Sequence, residues 1–339
     1  MELGLSTIGL DSRPDSLRAI AQQAEALGYS SIWTAEAWGR DAYTPLAFVA
    51  AATTRIGLGT AIAQIYSRAP GATAMTALTL QELSGGRLLL GLGVSGPQVI
   101  EGWHGVPFRA PLQTTREYVA ILRQAMRGDT KVEYSGDVYS VPYRGEGATG
   151  LGRPLRTSAP PAPDTPILIA ALGPKNTALA VEIGDGLLPY LWSPRHWRRA
   201  WGDALASAPT GFRVAPTVVA ALGNDLAACR DRVRPRIALH VGGMGSKDRN
   251  FYKSLVATYG YTDEAELIQE RFLAGDRAGA VAAVSDELVD DLALVGPPGH
   301  VTEQLAGWRE GPVTTLIVEP TTPEGLKALA RRGVRVLSG

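Results

Sequence analysis

Cysteine and histidine are scarce in this 339-residue chain, and their scarcity excludes two kinds of stabilising site. The single cysteine, Cys229, permits no disulfide within the chain. No spacing typical of metal ligands relates the four histidines, which are His104, His196, His240 and His300. We therefore expect neither a disulfide scaffold nor a metal site.

An excess of charge of either sign is also missing. The chain has 33 basic and 33 acidic residues, so its formal net charge at pH 7 is zero. Nucleic-acid-binding domains usually carry excess Lys and Arg, so nucleic acid is not an expected partner. No apolar run approaches the roughly 18 residues that span a bilayer, and the segment Met1–Leu5 lacks the basic start of a secretory signal. We expect a cytoplasmic protein with no membrane partner.

Apolar sequence punctuated by Gly and Pro is abundant. Hydrophobic residues make up 45% of the chain, and 39 Gly and 23 Pro are spread along it, which is typical of a globular protein with a large core. Short apolar runs alternate with helical patterns, which favours parallel pairing because parallel neighbours need a long crossover. The pattern predicts eight strands, at Glu2–Ser6, Ser31–Thr34, Arg55–Ala63, Arg87–Gly93, Pro166–Ala171, Gly186–Leu191, Val214–Leu222 and Thr315–Glu319. The predicted fold is an α/β (β/α)8 TIM barrel, and a doubly wound open sheet is the alternative.

Two segments are longer than a minimal barrel needs. Residues 131–165, rich in Pro and Gly, follow strand four, and residues 240–296 follow strand seven. Active sites of barrels lie at the carboxyl ends of the strands, so insertions at these points would lie over the site. We predict a single domain spanning residues 1–339, with these two insertions.

Residues just beyond strands two to four are candidates for the site. Glu36 directly follows strand two, as either a functional carboxylate at the mouth or a loop carboxylate. Gly57 and Gly59 in strand three indicate either the close approach of a ligand or an interior layer that needs small residues. The Gly-rich segment Gly91–Pro97 resembles an anion-binding backbone turn, although it does not match the dinucleotide-binding fingerprint.

The helix start after strand five is the other candidate. A Gly turn and Pro174 precede a helical pattern, so free N–H groups and the positive helix end would face the mouth. Asn176 and Thr177 are expected to add donors, and an ordinary helix start is the alternative. Four aromatic residues near strand ends either line a planar pocket or pack in the core: Trp38, Tyr66, Trp103 and Trp192.

Familiar catalytic constellations are missing from the sequence. There is no G-x-S-x-G motif, no Cys/His pair and no acidic pair spaced for glycoside chemistry. If the protein is an enzyme, a cofactor carries the chemistry.

Several motifs, in their order and spacing, give the chain a family resemblance over nearly its whole length. They are Gly28–Trp33, Leu58–Ile62, Arg68–Pro70, Leu83–Gly93 and Ile183–Gly186. The chain resembles the luciferase-like flavin and deazaflavin family, in its branch that uses coenzyme F420. The resemblance implies a barrel with insertions, a small-molecule substrate and a homodimer.

The resemblance also implies positions for the cofactor. A non-prolyl cis peptide is expected at Ala61–Ile62, in a bulge of strand three that presses on the deazaflavin ring. The phosphate tail would lie between the turn after strand four and the helix start at Gly173. The implied cofactor-binding residues are Glu36, Ala61, Ile62, Gly93, Val94, Ser95, Gln98, Ala170, Ala171, Leu172, Gly173 and Asn176.

The chain departs from the family at two positions. Many relatives have Asp-His after strand two, where this chain has Glu36-Ala37, and some have a catalytic Glu where it has Gly96. Sugar-phosphate dehydrogenase activity is therefore not expected. Glu36 becomes the catalytic candidate, as a proton donor or as a group that orients the ring edge.

The function that this resemblance implies is an F420-dependent oxidoreductase. It would transfer a hydride between the deazaflavin and an unsaturated or carbonyl organic substrate. The alternatives are an FMN-dependent luciferase-like monooxygenase and a deazaflavin-binding protein without turnover.

Overall fold

The computed structural model describes residues 1–11 and 13–322, together with Gly325 and Leu329. Its strands are β1 Glu2–Ser6, β2 Ser31–Thr34, β3 Gly57–Thr60, β4 Ala63–Gln64, β5 Leu88–Gly93, β6 Tyr134–Ser135, β7 Ser140–Val141, β8 Ile167–Ala170, β9 Gly186–Leu188, β10 Arg213–Val214, β11 Thr217–Leu222, β12 Ala293–Gly296 and β13 Thr315–Pro320. Its α-helices are α1 Pro14–Ala26, α2 Tyr43–Ala52, α3 Pro70–Ser84, α4 Pro97–Ile100, α5 Pro111–Arg127, α6 Pro174–Ile183, α7 Trp197–Ala206, α8 Leu226–Ala238, α9 Phe251–Tyr259, α10 Thr262–Leu273, α11 Arg277–Ala282, α12 Asp286–Leu292 and α13 Pro298–Arg309. A π-helix, Leu239–Gly243, continues from α8.

The main sheet is parallel and curls round towards its own first strand. Parallel pairing runs from β1 through β2, β3, β5 and β8 to β9. β10 pairs with β9, and Thr217, the first residue of β11, forms an isolated bridge with Tyr190. β11 then pairs with β13, and β13 pairs with β1. The protein therefore has an α/β fold with a parallel curled sheet, consistent with a TIM-barrel-like fold.

Several strands differ from the sequence-based expectation. The predicted strand Val214–Leu222 is divided into β10 and β11. The predicted strand Arg55–Ala63 is divided into β3 and β4 by the peptide between Ala61 and Ile62. The predicted strand Gly186–Leu191 is shorter than expected, because β9 ends at Leu188. Residues 240–296 end in β12, which pairs with β11. This strand was missed because its four residues follow α12 without a break, so helical periodicity extends across them.

The inside of the curled sheet holds a small apolar cluster separate from the large outer core. We call it the inner cluster; its residues are Trp33, Leu168, Leu188, Ala215 and Ile317. A Cβ added at Gly59 would lie 2.1 Å from the Trp33 ring, so only glycine fits beneath the indole. The interior-layer interpretation of Gly59 is therefore confirmed.

Loops at the carboxyl end are held by long-range contacts. Ser193 donates its hydroxyl to the fully buried Asp291 Oδ1 at 2.8 Å, and Tyr259 donates its hydroxyl to Leu191 O at 2.9 Å. The segment after β9 is thereby tied to residues 240–296. The indole of Trp192 stacks on Trp201 with 4.6 Å between centroids, so it packs in the core rather than lining a pocket.

Candidate active site

The residues predicted to bind a cofactor gather at the carboxyl end of the parallel strands. A Cβ added at Gly93, the last residue of β5, would lie 3.0 Å from Ile62 Cδ1 and 3.2 Å from Ala170 Cβ. Ile62 and Ala170 are half-buried and, with Ala61, pack on the inner cluster. These four residues, Ala61, Ile62, Gly93 and Ala170, therefore form one apolar surface, which we call the floor of the mouth. The peptide Ala61–Ile62 is cis, as the family resemblance implies.

Hydrogen bonds link the loop after β2 to this bulge. The Glu36 N–H donates to Ile62 O at 3.1 Å, and the Ala61 N–H donates to Thr34 O at 2.7 Å. Gln64 donates its side-chain amide to Glu36 O and Ala37 O, each at 3.1 Å. These hydrogen bonds to backbone oxygens fix the end of β2 relative to the bulge between β3 and β4.

The Glu36 carboxylate is enclosed by donors rather than free at the mouth. Oε1 accepts from the Gln64 N–H at 2.8 Å, from Arg68 Nη1 at 2.7 Å and from Ser67 Oγ at 3.3 Å. Oε2 accepts from the Ala42 N–H at 3.1 Å. Only 7% of the side chain is exposed. These four donors favour a role for Glu36 in holding the loops together.

A contact from Gln64 reaches a histidine that sequence reasoning did not select. Because the Gln64 amide nitrogen donates to two carbonyl oxygens, its Oε1 must accept from His104 Nε2, which lies 2.9 Å away. The neutral imidazole therefore carries its proton on Nε2 and has Nδ1 as an acceptor. The available signal was the place of Gln64, a polar residue at the end of strand three.

Two backbone turns at this end have N–H groups without side-chain caps. Ser95, two residues after the end of β5, has a left-handed φ of 58°, and the helix α4 that follows it has no side-chain cap. Helix α6 begins after Gly173 with no side-chain cap. Its first backbone hydrogen bond runs from the Thr177 N–H to Gly173 O. The N–H groups of Lys175 and Asn176 precede that bond and are available to an anion.

The outlying candidates have varied surroundings. The Thr177 hydroxyl donates to Gly173 O at 2.9 Å, so the expectation that it is an extra donor at the mouth was wrong. Gln98 is exposed on α4. Tyr66 donates its hydroxyl to Arg109 O at 2.7 Å. The indoles of Trp38 and Trp103 are exposed, by 56% and 65%.

Two surface cavities lie away from the floor of the mouth. One, of about 390 Å³, is bordered by Gln81 and Pro161 and adjoins Pro166, which precedes β8 at its amino end. The other, of about 470 Å³, lies beside the β6–β7 hairpin between Arg109 and Asp137. Neither of these two cavities is lined by a residue of the floor.

Residues 1–11 and 13–322 contain neither a metal-ligand cluster nor a membrane-spanning helix. No group of three or more His, Cys, Asp or Glu side chains is placed to hold a metal ion there. None of the helices described in that part of the chain is long and apolar enough to cross a membrane.

Comparison with known proteins decides the family. The sequence profile of the luciferase-like monooxygenase family matches residues 3–315. The chain belongs to the luciferase-like monooxygenase family. It is 42% identical to the Mycobacterium tuberculosis protein named "Putative coenzyme F420-dependent oxidoreductase Rv3520c", and the match covers 97% of this chain and 98% of that protein. The chain is therefore an enzyme of an oxidoreductase family.

Solved structures with the same fold include users of two cofactors. The coenzyme F420-dependent tetrahydromethanopterin reductase from Methanopyrus kandleri superposes with a TM-score of 0.77 at 23% identity, covering 98% of this chain and 97% of that one. A Pseudomonas putida Baeyer-Villiger monooxygenase component in complex with FMN gives 0.65 at 19% identity, covering 99% and 98%. These luciferase-like structures establish the fold, and both cofactors occur on it.

Proposed function

We propose that this luciferase-like protein is an F420-dependent oxidoreductase that transfers a hydride between the deazaflavin and an unsaturated or carbonyl organic substrate. The observation that carries the proposal is the meeting of two features at one end of the sheet. The floor, formed by Ala61, Ile62, Gly93 and Ala170, is followed along the chain by two backbone turns whose N–H groups suit a phosphate. The F420-dependent relatives support the choice of cofactor.

The residues at the mouth fit a planar ring with a phosphorylated tail. Gly93 leaves space between Ile62 and Ala170, where a larger side chain would stand. We assign the ring to Ala61, Ile62, Gly93 and Ala170, and the adjoining chain to Ala171 and Leu172. The remaining residues are assigned to the phosphate tail; they are Val94, Ser95, Gln98, Gly173 and Asn176. When bound, the deazaflavin supplies hydride transfer at ring carbon 5.

Within this assignment Glu36 acts as a positioning residue. Its carboxylate holds the Gln64 N–H beside the bulge, and its N–H holds Ile62 O. Hydride transfer depends on alignment of the reacting atoms, so fixing the bulge contributes to rate without a proton transfer by Glu36. A proton donor at Glu36 would instead be required for turnover but not for stability or F420 affinity.

The cofactor assignment is tested by fluorescence titration of the purified protein with oxidised F420 and, separately, with FMN. We expect saturable quenching of the deazaflavin and binding of FMN at least about tenfold weaker, a difference of about 1.4 kcal/mol. Reduced F420 is then mixed anaerobically with a panel of ketones and enones. Its oxidation in step with product formation is the expected result.

Other outcomes would select the alternatives. Tighter binding of FMN with oxygen-dependent turnover would support a luciferase-like monooxygenase. Tight binding of F420 with no oxidation of its reduced form by any member of the panel would support a binding protein. Failure to bind F420 at all would overturn the proposal.

We further propose that residues 1–339 form a single (β/α)8 domain with insertions at 131–165 and 240–296. The return of strand pairing to β1 supports the closed barrel. In the first insertion the β6–β7 hairpin is held by Glu117, whose carboxylate accepts from the N–H of Tyr139 at 2.7 Å. The homodimer implied by the family also stays a proposal, supported by exposed apolar side chains on α2 and α3 such as Met75 and Leu83.

A further inference from the structure

A second polar cluster borders the mouth, and none of the predicted site residues belongs to it. Leu188 and Ile317 lie in the inner cluster. Side chains alternate along a strand, so Glu319, two residues beyond Ile317 in β13, faces the same side at the carboxyl end. Tyr190 follows the end of β9 by two residues, and its backbone bridges Thr217 at the start of β11. The cluster therefore lies at the same end of the sheet as the floor, and its tyrosines Tyr190 and Tyr252 pack on the large core.

The charges of this cluster cancel. Glu319 is 5% exposed and forms an ion pair with Arg236, which reaches it from the end of α8. Burial raises the pKa of the Glu319 carboxyl, and the guanidinium opposes that shift. Because the two groups are in direct contact, the positive charge of Arg236 and the negative charge of Glu319 cancel.

The neighbouring histidine adds an acceptor and no charge. His240, in the π-helix, has Nδ1 2.8 Å from Arg236 O. A carbonyl oxygen only accepts, so Nδ1 carries the hydrogen and Nε2 has the free lone pair. Burial lowers the pKa of His240 to about 4, and the imidazole is therefore neutral at pH 7. π-Helical turns are frequent at functional sites.

Two tyrosine hydroxyls complete the cluster. The ring centroid of His240 lies 4.7 Å from that of Tyr190 and 5.0 Å from that of Tyr252. Both tyrosines are half-buried, and in the described part of the chain neither hydroxyl has a hydrogen-bond partner. Burial raises the pKa of both hydroxyls, which keeps them protonated as donors. Hydroxyls in such surroundings are satisfied by a ligand or by water.

We propose that this cluster is the substrate-oxygen subsite, in which Tyr190 and Tyr252 donate to a carbonyl or hydroxyl oxygen of an uncharged substrate while carboxylates and phosphates are excluded. The proposal rests on the proposed function, which places the cofactor on the floor. It selects neutral oxygenated compounds within the class of carbonyl and unsaturated substrates.

Exclusion of anions follows from the pairing of two arginines, Arg236 and Arg68, with carboxylates. Arg236 is neutralised by Glu319, whose carboxylate would repel an approaching anion. Arg68 is neutralised in the same way by Glu36. Lys253, next to Tyr252 in the sequence, keeps its charge because Gln269 is neutral; its ammonium donates to Gln269 Oε1 on α10 at 3.0 Å.

The test compares two ligands on the same ring, cyclohexanone and cyclohexanecarboxylate. Their equilibrium binding to the F420-loaded protein is measured by ligand-observed NMR, with F420 occupancy followed by fluorescence. We expect cyclohexanone to bind at least about tenfold more tightly than the carboxylate. Tyr190→Phe should weaken cyclohexanone binding about fivefold and leave F420 affinity unchanged.

Glu319→Gln gives the sharper result because it leaves Arg236 as an unpaired cation. This variant should bind cyclohexanecarboxylate at least about tenfold more tightly than the wild type does. The control, Glu182→Gln, unpairs Arg116 in an exposed ion pair and should change neither affinity. A thermal melt of each variant checks that it is folded.

The outcomes distinguish this inference from the proposed function. Equal affinities for the two ligands, binding of neither, or Tyr190→Phe and Glu319→Gln variants that behave as wild type would overturn the inference while F420 still binds. Absence of F420 binding would instead overturn the proposed function. The ligand comparison would then be made on the cofactor-free protein, where the same preference is expected.

Discussion

Replacement of Gly93 by Leu is expected to weaken F420 binding by at least about 100-fold, or roughly 2.7 kcal/mol. Even a Cβ at this position would contact Ile62 and Ala170, and the rest of a leucine side chain would stand on the floor assigned to the ring. Fluorescence titration measures the affinity, and urea unfolding measures the stability of the same sample. Gly93→Ala should give an intermediate loss, because its single methyl group is only slightly too close to its neighbours.

Gly299→Leu is the matched control for this substitution. Gly299 lies in the first turn of α13, and a Cβ there meets nothing within 4 Å. It should therefore leave F420 affinity unchanged. Unaltered F420 affinity in a folded Gly93→Leu protein would show that the ring does not lie on the floor.

Replacement of Glu36 by Ala is expected to destabilise the protein by about 2–4 kcal/mol. The substitution leaves Arg68 without its partner and removes the acceptor for the N–H groups of Ala42 and Gln64. Arg68 is a quarter exposed, so water recovers part of the loss. Urea unfolding measures the change. The control is the exposed ion pair between Arg116 and Glu182, where Glu182→Ala should destabilise the protein by less than about 1 kcal/mol.

Glu36→Gln separates positioning from proton donation. Glutamine keeps an acceptor oxygen. The positioning role therefore predicts a smaller loss of stability to urea than Glu36→Ala gives, together with partly reduced F420 affinity and turnover. A proton donor would show another pattern, with turnover lost and with stability and F420 affinity intact. That pattern would restore the interpretation of Glu36 as the acid.

The parallel sheet and the start of α6 were predictable because their signals are local, whereas the floor residues Ala61, Ile62 and Ala170 were implied by the family resemblance. Apolar runs separated by helical patterns are sufficient to locate strands such as β5 and β8, and parallel strands necessarily bring their carboxyl ends together. Proline in the first turn and the glycine before it likewise predicted the start of α6. The residues that follow each strand were therefore good candidates before any geometry was available.

What the sequence did not indicate depends on contacts between distant residues. Glu36 meets Arg68 across 32 positions and Arg236 meets Glu319 across 83, so a carboxylate at a strand end could not be assigned as paired or free. The role of His104 likewise depends on the orientation of Gln64. Thr177 was misjudged because its hydroxyl bonds within its own helix turn.

A crystal structure of the protein with bound F420 tests the central claim most directly. We predict that the tricyclic ring lies against Ile62, Gly93 and Ala170, with a phosphate oxygen within hydrogen-bond distance of the Lys175 or Asn176 N–H. Electron density for the coenzyme at either of the two surface cavities, or with its phosphate directed away from the start of α6, would contradict the account.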